Sequence, residues 1–264
     1  MPFLKWPGGK RWLVPILKEV QAYNGLSKYY EPFLGGGAIF FSINSSSAHL
    51  SDSNRELINT YVMVRDYPEE LLNLIQEMPQ DKESYYKIRS TEYNSNVKKA
   101  AQFLYLNRLA FGGMYRVNLQ GKFNVPYGGN RKVDILWTRN LIKNASEKLQ
   151  GVTINCSDFE SILHMAKKGD FVYCDPPYTV AHNLNGFQRY NENIFSWQDQ
   201  VRLYECCFKA AKRGVKILVS NAAHESVKDL YKSVDFKVVN RYSGLSKLSA
   251  SRKRIDEYLF LFNI

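Results

Sequence analysis

The stretch Tyr29-Tyr30-Glu31-Pro32-Phe33-Leu34-Gly35-Gly36-Gly37 decides the fold. Aromatic residues open it, as in a strand, and proline and three glycines then force a turn. The chain continues as AIFFSI, an apolar pattern of helical type over about 37–45. Strand, glycine turn and helix in that order make the first half of a β-α-β unit. The same alternation extends outward in both directions. Strand-like runs rich in branched and aromatic residues fall at about 29–33, 48–52 (AHLSD), 152–156 (VTINC) and 170–174 (DFVYC). Three more follow at about 215–220 (VKILVS), 234–240 (VDFKVVN) and 257–263 (EYLFLFN). Helical patterns occupy roughly 10–22, 37–45, 54–66, 158–167, 197–213 and 224–232. The expected architecture is therefore α/β, an open sheet with helices on both faces. No helix separates the last two runs, which predicts an antiparallel final strand entering through a long hairpin.

Residues 68–111 interrupt the pattern. Pro68 suits the first turn of a helix reading PEELLNLIQEM. In VKKAAQFLYLNRLAF, Val97, Ala100, Ala101, Leu104 and Arg108 recur at helical spacing. A loop dense in Gly, Arg, Lys and Asn then runs from Gly112 to about Val133. Residues 62–149 thus read as a mostly helical insert between the second and third strands. Residues 1–61 and 150–264 supply the sheet domain.

The 264 residues carry 36 Lys+Arg against 25 Asp+Glu, a net charge of +11 that points weakly toward a polyanionic partner. With 45% hydrophobic and 14% aromatic residues, the composition is that of a folded chain with a real core. No apolar run approaches the roughly 20 residues that span a bilayer, and MPFLKWPGGK has no signal-peptide core. Cys156, Cys174, Cys206 and Cys207 show neither metal spacing nor a disulfide framework, which favours a reducing cytoplasm. No metal site is expected from the scattered histidines either.

Two motifs carry chemistry. The first is the glycine loop, of form F-x-G-x-G, with Phe40 where a dinucleotide fingerprint would need a third glycine. Neither GKS nor GKT follows, which disfavours a phosphate-gripping loop. A bare strand-to-helix turn would explain the loop, but Asp52 ends the second strand run in LSDSNREL. An acid there can accept hydrogen bonds from ribose hydroxyls, or Asp52 or Ser53 can cap the next helix. Loop plus acid reads as a site for an adenosine-containing cofactor.

The second and stronger motif is Asp175-Pro176-Pro177-Tyr178, directly after the run FVYC. Two prolines remove two N–H donors and fix two φ angles, so the backbone is stiff and rich in acceptors. Asp175, the Pro176 carbonyl and the Tyr178 ring then stand at the carboxyl end of a strand, where open α/β sheets bind ligands. That set suits an exocyclic amine on a planar base: two acceptors for its hydrogens and a ring to stack on. Drawing both hydrogens toward acceptors favours a pyramidal nitrogen able to attack an electrophilic methyl group. The plain alternative is a rigid turn with a packed tyrosine.

These motifs sit in a longer ordered series. It comprises Lys5-Trp6-Pro7-Gly8-Gly9-Lys10, the 30–37 loop, Asp52-Ser53-Asn54, Leu106-Asn107-Arg108, Met114-Tyr115-Arg116-Val117-Asn118, residues 121–128 (GKFNVPYG) and the 175–178 tetrad. Nearly end to end, the chain resembles the Dam-type N6-adenine DNA methyltransferases, of the D12 class and alpha group. The resemblance implies a seven-stranded mixed sheet of the S-adenosylmethionine-dependent methyltransferase type, with an inserted target-recognition domain. It implies S-adenosylmethionine as cofactor and double-stranded DNA as partner. Trp6 and Lys10 would meet the methionine part, with Lys10 on its carboxylate. Phe33, Gly35, Gly37, Asp52, Asp158 and Phe159 would surround the adenosine part, although a helix cap explains Asp158 equally well. Asp175, Pro176 and Tyr178 would perform catalysis, with Asp175 between cofactor and target base.

A base inside a duplex cannot reach such a pocket, so the resemblance also implies a flipped adenine. Phe111 matches an aromatic that enters the base stack, Met114 a contact to a thymine methyl, and Arg116 a guanine reader. Lys5 and Pro126 match two further base-contacting positions. Phe111 as core and Arg116 on a phosphate is the alternative. Where the family carries Asn-Gly, this chain has Gly112-Gly113, and GATC is the first expectation for the target. Residues 241–254 hold five basic side chains and no acid, among them Arg252, and suit phosphate contact. Residues 179–196, with Phe187 and Tyr190, resemble a lid. The rival functions are the same transfer to cytosine N4, a DNA-binding protein of this fold without catalysis, and, more distantly, a nicotinamide-dependent oxidoreductase.

Overall fold

The computed structural model describes residues 1–6, 8–19, 25, 27–43, 45, 47–118, 120–129, 135–181, 195–242 and 254–264. Seven strands form one mixed sheet: β1 (Tyr29–Glu31), β2 (Ala48–Asp52), β3 (Thr153–Cys156), β4 (Phe171–Cys174), β5 (Lys216–Ala222), β6 (Asp235–Tyr242) and β7 (Arg254–Phe262), in the order β3-β2-β1-β4-β5-β7-β6. All seven strand runs read from the sequence are strands. β1 pairs in parallel with β2 on one side and β4 on the other, and β4 pairs in parallel with β5. β7 is antiparallel to both β5 and β6, as expected from the sequence. The α/β expectation is met.

This order creates the feature that matters for function. The chain leaves β1 toward β2 and β3 and later returns to place β4 on the opposite side of β1. Between β1 and β4 the winding reverses, and a crevice opens at the carboxyl ends of those strands. Phe33 follows the end of β1 and Asp175 the end of β4.

Among the described residues the α-helices are α1 (Val14–Glu19), α2 (Arg55–Asp66), α3 (Pro68–Glu77), α4 (Lys82–Ser90), α5 (Asn96–Leu109), α6 (Ile135–Leu149), α7 (Phe159–Met165), α8 (Trp197–Lys212) and α9 (Glu225–Leu230). Pro68 stands at the start of α3, where its missing N–H costs nothing. Val97, Ala100, Ala101 and Leu104 of α5 are all buried, as their spacing predicts. Arg108 is half-buried: its guanidinium donates to the Phe3 carbonyl, and desolvation pulls its pKa down to about 10. Ser196 and Asp199 close a reciprocal capping box at the start of α8.

One expected helix fails. Of the expected 37–45 helix, residues 37–43 form turns and a single 3-10 turn, Phe40–Ser42, because Gly37 adopts φ 64° and Ile43 is already extended. Both angles break an α-helical run, whatever the apolar spacing between them.

By contact density the chain divides into two compact units. One comprises Met1–Val14, Gly35–Asn44 and Asn54–Cys156, the other Pro15–Leu34, Ser45–Ser53 and Ser157–Ile264. In the second unit, Val172 and Cys174 of β4, Ile217 and Val219 of β5, and Leu203, Cys207 and Ala210 of α8 share one buried apolar core. Tyr231 stacks on Phe260 there at 4.2 Å. The four cysteines are free thiols, and Cys174 is fully buried. Among the described residues no helix is long and apolar enough to cross a membrane.

Candidate functional site

Every strand residue of β4 is buried, so the carboxylate of Asp175 emerges at a fixed point as the chain leaves the sheet. The hydroxyl of Ser220, on neighbouring β5, donates to Asp175 Oδ1 at 2.7 Å. Ser220 in turn lies 3.1 Å from the hydroxyl of Tyr173, whose pKa burial and then the Asp175 charge drive well up. Tyr178 donates its hydroxyl to Glu257 Oε2 on β7 at 2.8 Å. Burial first, then the charges of Asp175 and Glu257, hold that phenol far above its ordinary pKa, and therefore protonated. Behind the prolines, Gln200 donates to the Pro177 carbonyl and accepts from Asn221 at 3.0 Å. Ser220, Asn221, Gln200 and Glu257 are all 0% exposed. The tetrad is thus backed by a buried polar layer, which is the opposite of a turn held by a packed tyrosine alone.

That layer is absent from the sequence reading. Its members come from β5, β7 and α8, far from residues 175–178 in the chain. The one local signal is Glu257, an acid at the head of the apolar run EYLFLF.

Across the crevice Phe33 stacks on Phe159 at 5.4 Å and meets Phe195 edge-on at 5.6 Å. This gives a half-buried aromatic surface beside the end of β1. Asp52 ends β2 half-buried, and its carbonyl accepts from Ser157 N at 3.2 Å. Neither Asp52 nor Ser53 caps α2; the cap is Asn54, accepting from Leu57 N at 3.1 Å, since the helix starts only at Arg55. Asp158 does cap α7, accepting from Glu160 N, and its carboxylate also receives Arg202 at 2.7 and 3.0 Å. Burial opposes the charge of Asp158, yet Arg202 and the cap hold its pKa below the usual range. The Arg202 guanidinium also lies 4.2 Å over the Phe159 ring. The aromatic surface and a strand-end acid free of helix capping fit the flat base and the diol of an adenosine group. Ser157 Oγ, buried without a hydrogen-bond partner among the described residues, fits a polar ligand atom there as well.

The other unit holds the glycine loop and the N-terminal motif. A Cβ added at Gly35 or Gly36 would lie 2.8 Å from Trp6, and one at Gly37 would lie 2.8 Å from the Tyr61 hydroxyl. Tyr61 also donates to the Gly35 carbonyl at 3.0 Å. The glycines therefore make room for Trp6 and Tyr61. Trp6 further stacks on Tyr115 at 5.2 Å. Lys10 is buried, with Nζ donating to the Gly8 carbonyl at 3.1 Å. Gly37→Ala is expected to lower stability by about 2–4 kcal/mol, from a left-handed φ plus a clash with Tyr61. Gly8→Ala is the control: its φ is 81°, nothing lies within 4 Å of the added carbon, and only the conformational cost of about 1–2 kcal/mol remains. Thermal unfolding of both variants checks the difference.

The same unit carries the loop expected to read DNA. Phe111 opens a 3-10 turn, 44% exposed, with its N–H on the Pro126 carbonyl at 2.9 Å. Phe111 is therefore not core. Gly112 and Gly113 both take left-handed φ, and a Cβ at Gly113 would lie 2.6 Å from Lys5 Cδ. Lys5 is fixed by a two-way amide clamp: its N–H donates to Asn107 Oδ1 at 2.9 Å and its carbonyl accepts from Asn107 Nδ2 at 2.7 Å. Arg116 is exposed, its Nε held by Asn124 Oδ1 at 2.8 Å. Lys5 and Pro126 are exposed too, whereas Met114 is half-buried against the cluster of Tyr85, Leu109 and Val125. Arg252, Phe187 and Tyr190 lie outside the described residues.

Glu160, His164 and Cys206 bring three ligating atoms within 4.8 Å of one another, a grouping that linear spacing hides. Arg202 already holds Glu160 at 2.9 Å, and burial pushes the Cys206 thiol up to about 11, against the thiolate a metal needs.

A family model described as D12 class N6 adenine-specific DNA methyltransferase matches residues 6–244. The chain is 37% identical to the type II methyltransferase M1.LlaDCHI of Lactococcus lactis subsp. cremoris, over 98% of this chain and 94% of that one. It is 36% identical to the type II methyltransferase M.MjaIII of Methanocaldococcus jannaschii, over 84% of each. With the DNA adenine methylase of Vibrio cholerae it shares 32% identity over 98% of this chain and 95% of the relative.

Proposed function

The chain belongs to the D12 class of N6 adenine-specific DNA methyltransferases, and from that premise we propose that it methylates adenine in a short duplex site, using S-adenosylmethionine and a flipped-out base. The observation that carries this reading is Asp175, fixed by Ser220 at the carboxyl end of β4 beside the winding reversal, with the Tyr178 ring tethered close by. The cofactor supplies a methyl group on a sulfonium, so the amine forms an N–C bond while the S–C electron pair returns to sulfur. The protein must orient the amine and favour its lone pair. Asp175 and the Pro176 carbonyl accept hydrogen bonds from its two N–H groups, Tyr178 stacks on the ring, and the methylated nitrogen then sheds one proton to solvent. Phe33, Phe159, Asp52 and Asp158 are the proposed adenosine contacts. Trp6, Lys10, Gly35 and Gly37 complete the cofactor assignment by resemblance.

For the DNA, residues 62–149 are the proposed target-recognition region and GATC the proposed site. Phe111 fills the gap left by the flipped base. Lys5, Met114, Arg116 and Pro126 contact neighbouring bases, and Arg252 a phosphate. The type II names of two relatives support a place beside a restriction enzyme, and free thiols support a cytoplasmic setting.

Sequencing DNA from a host that expresses the chain, with a readout of modified bases, tests base and motif together. N6-methyladenine at GATC is the expected result. Methylation at another motif would overturn only the target, and no modified adenine would overturn the reading. Replacing Arg252 by Ala should weaken binding to all sequences alike and lower the salt slope by about 0.9. Binding titrations at several salt concentrations measure it.

A further inference from the structure

We propose that Glu257 is the positioning residue for Tyr178, holding its ring at the angle at which it stacks on the target base. The inference rests on the 175–178 tetrad being the methyl-transfer site. Two prolines fix the backbone on one side of Tyr178, but a tyrosine side chain still turns about its own bonds. Its far end is held by the carboxylate of Glu257, at 2.8 Å from the hydroxyl. Glu257 is itself immobile: it is 0% exposed, on β7, in register with Ala222 of β5. A ring fixed at both ends presents one face, and its hydroxyl proton is committed to Glu257, so the ring serves as a surface for stacking.

A buried acid is costly unless it is bonded, and a hydrophobic residue in its place would pack with no such cost. Two residues on, Leu259 is buried and apolar on the same face of β7, so packing there is met without an acid, and the Tyr178 hydroxyl supplies a bond that a buried carboxylate at 257 requires.

The test compares Glu257→Gln, Glu257→Leu, Tyr178→Phe and the two double variants, each checked for folding by thermal unfolding. Steady-state methyl transfer gives kcat and the KM for cofactor. Glu257→Leu is expected to lower kcat ~10- to 100-fold with the cofactor KM little changed, the loss seen when a reacting group is slightly misplaced. Glu257→Gln should restore most of it, since an amide oxygen accepts the same bond. Tyr178→Phe should lose as much as Glu257→Leu, and combining the two should add almost nothing. Losses that multiply, or a Gln variant no better than Leu, would overturn the inference. If the Leu variant fails to fold, the Tyr178→Phe/Glu257→Gln cycle decides by the same criterion of non-additivity. Labelling the tyrosines at Cζ gives a readout without turnover: the resonance missing from Tyr178→Phe should shift in either Glu257 variant. Wild-type chain without any transfer would sink the site reading itself, whereas active wild type with multiplying losses would sink only the role of Glu257.

Discussion

Asp175→Ala is expected to lose methyl transfer by at least roughly 100- to 1000-fold, about 3–4 kcal/mol, the scale of one preorganised contact in a water-poor site. The amine becomes positive as the new bond forms, so an ionised acceptor on it matters most in the transition state. Its position is set in the folded protein, by the end of β4 and by Ser220 at 2.7 Å, and needs no rearrangement during reaction. The variant should fold. Ser220 keeps the Tyr173 hydroxyl at 3.1 Å and the Cys174 carbonyl at 3.5 Å, so no buried polar group loses its last partner. DNA affinity should stay near the wild-type value, because the proposed DNA contacts lie elsewhere in the chain. Single-turnover transfer and a DNA-binding titration on the same preparation check both halves. Turnover within tenfold of wild type would remove Asp175 from the chemistry.

Arg116→Ala is expected to cost about 1–3 kcal/mol on the cognate site and little on any other, because an arginine paired to guanine O6 and N7 reads sequence. Its Nε donates to Asn124 Oδ1 at 2.8 Å and its Nη2 to the Asn124 carbonyl at 3.5 Å, which leaves Nη1 and the second hydrogen of Nη2 as the donors that a guanine edge requires. Asn124→Ala should therefore loosen specificity at the same base pair, by less, since Arg116 survives but is no longer aimed. Methylation rates on the cognate duplex and its single-base variants measure both effects. Equal slowing on every duplex would make Arg116 a phosphate contact.

The sequence reading succeeded where the signal is local. Branched and aromatic runs marked all seven strands, and the absence of a helix between 240 and 257 predicted the antiparallel β7. It failed at 37–45, where apolar spacing looked helical but Gly37 takes a left-handed φ that ends any helix. The cap of α2, which Asp52 or Ser53 could have supplied, is Asn54.

What the sequence determined by itself was the tetrad, the alternating α/β pattern and the glycine pair of the loop after α5. Each depends on residues adjacent in the chain: prolines fix their own φ, and period-two and helical patterns repeat within one segment. Only the tertiary structure decided what holds these parts. Ser220 reaches Asp175 across 45 residues, Glu257 reaches Tyr178 across 79, and Asn107 clamps Lys5 across 102. It also decided that Gly35 and Gly36 make room for Trp6. Such pairs depend on register. β7 lies between β5 and β6 with Leu259 opposite Ser220 and Glu257 opposite Ala222, and a one-residue slip of β7 would turn Glu257 to the other face. That register is set by burying the apolar face of the whole sheet, a quantity no single segment of the chain contains.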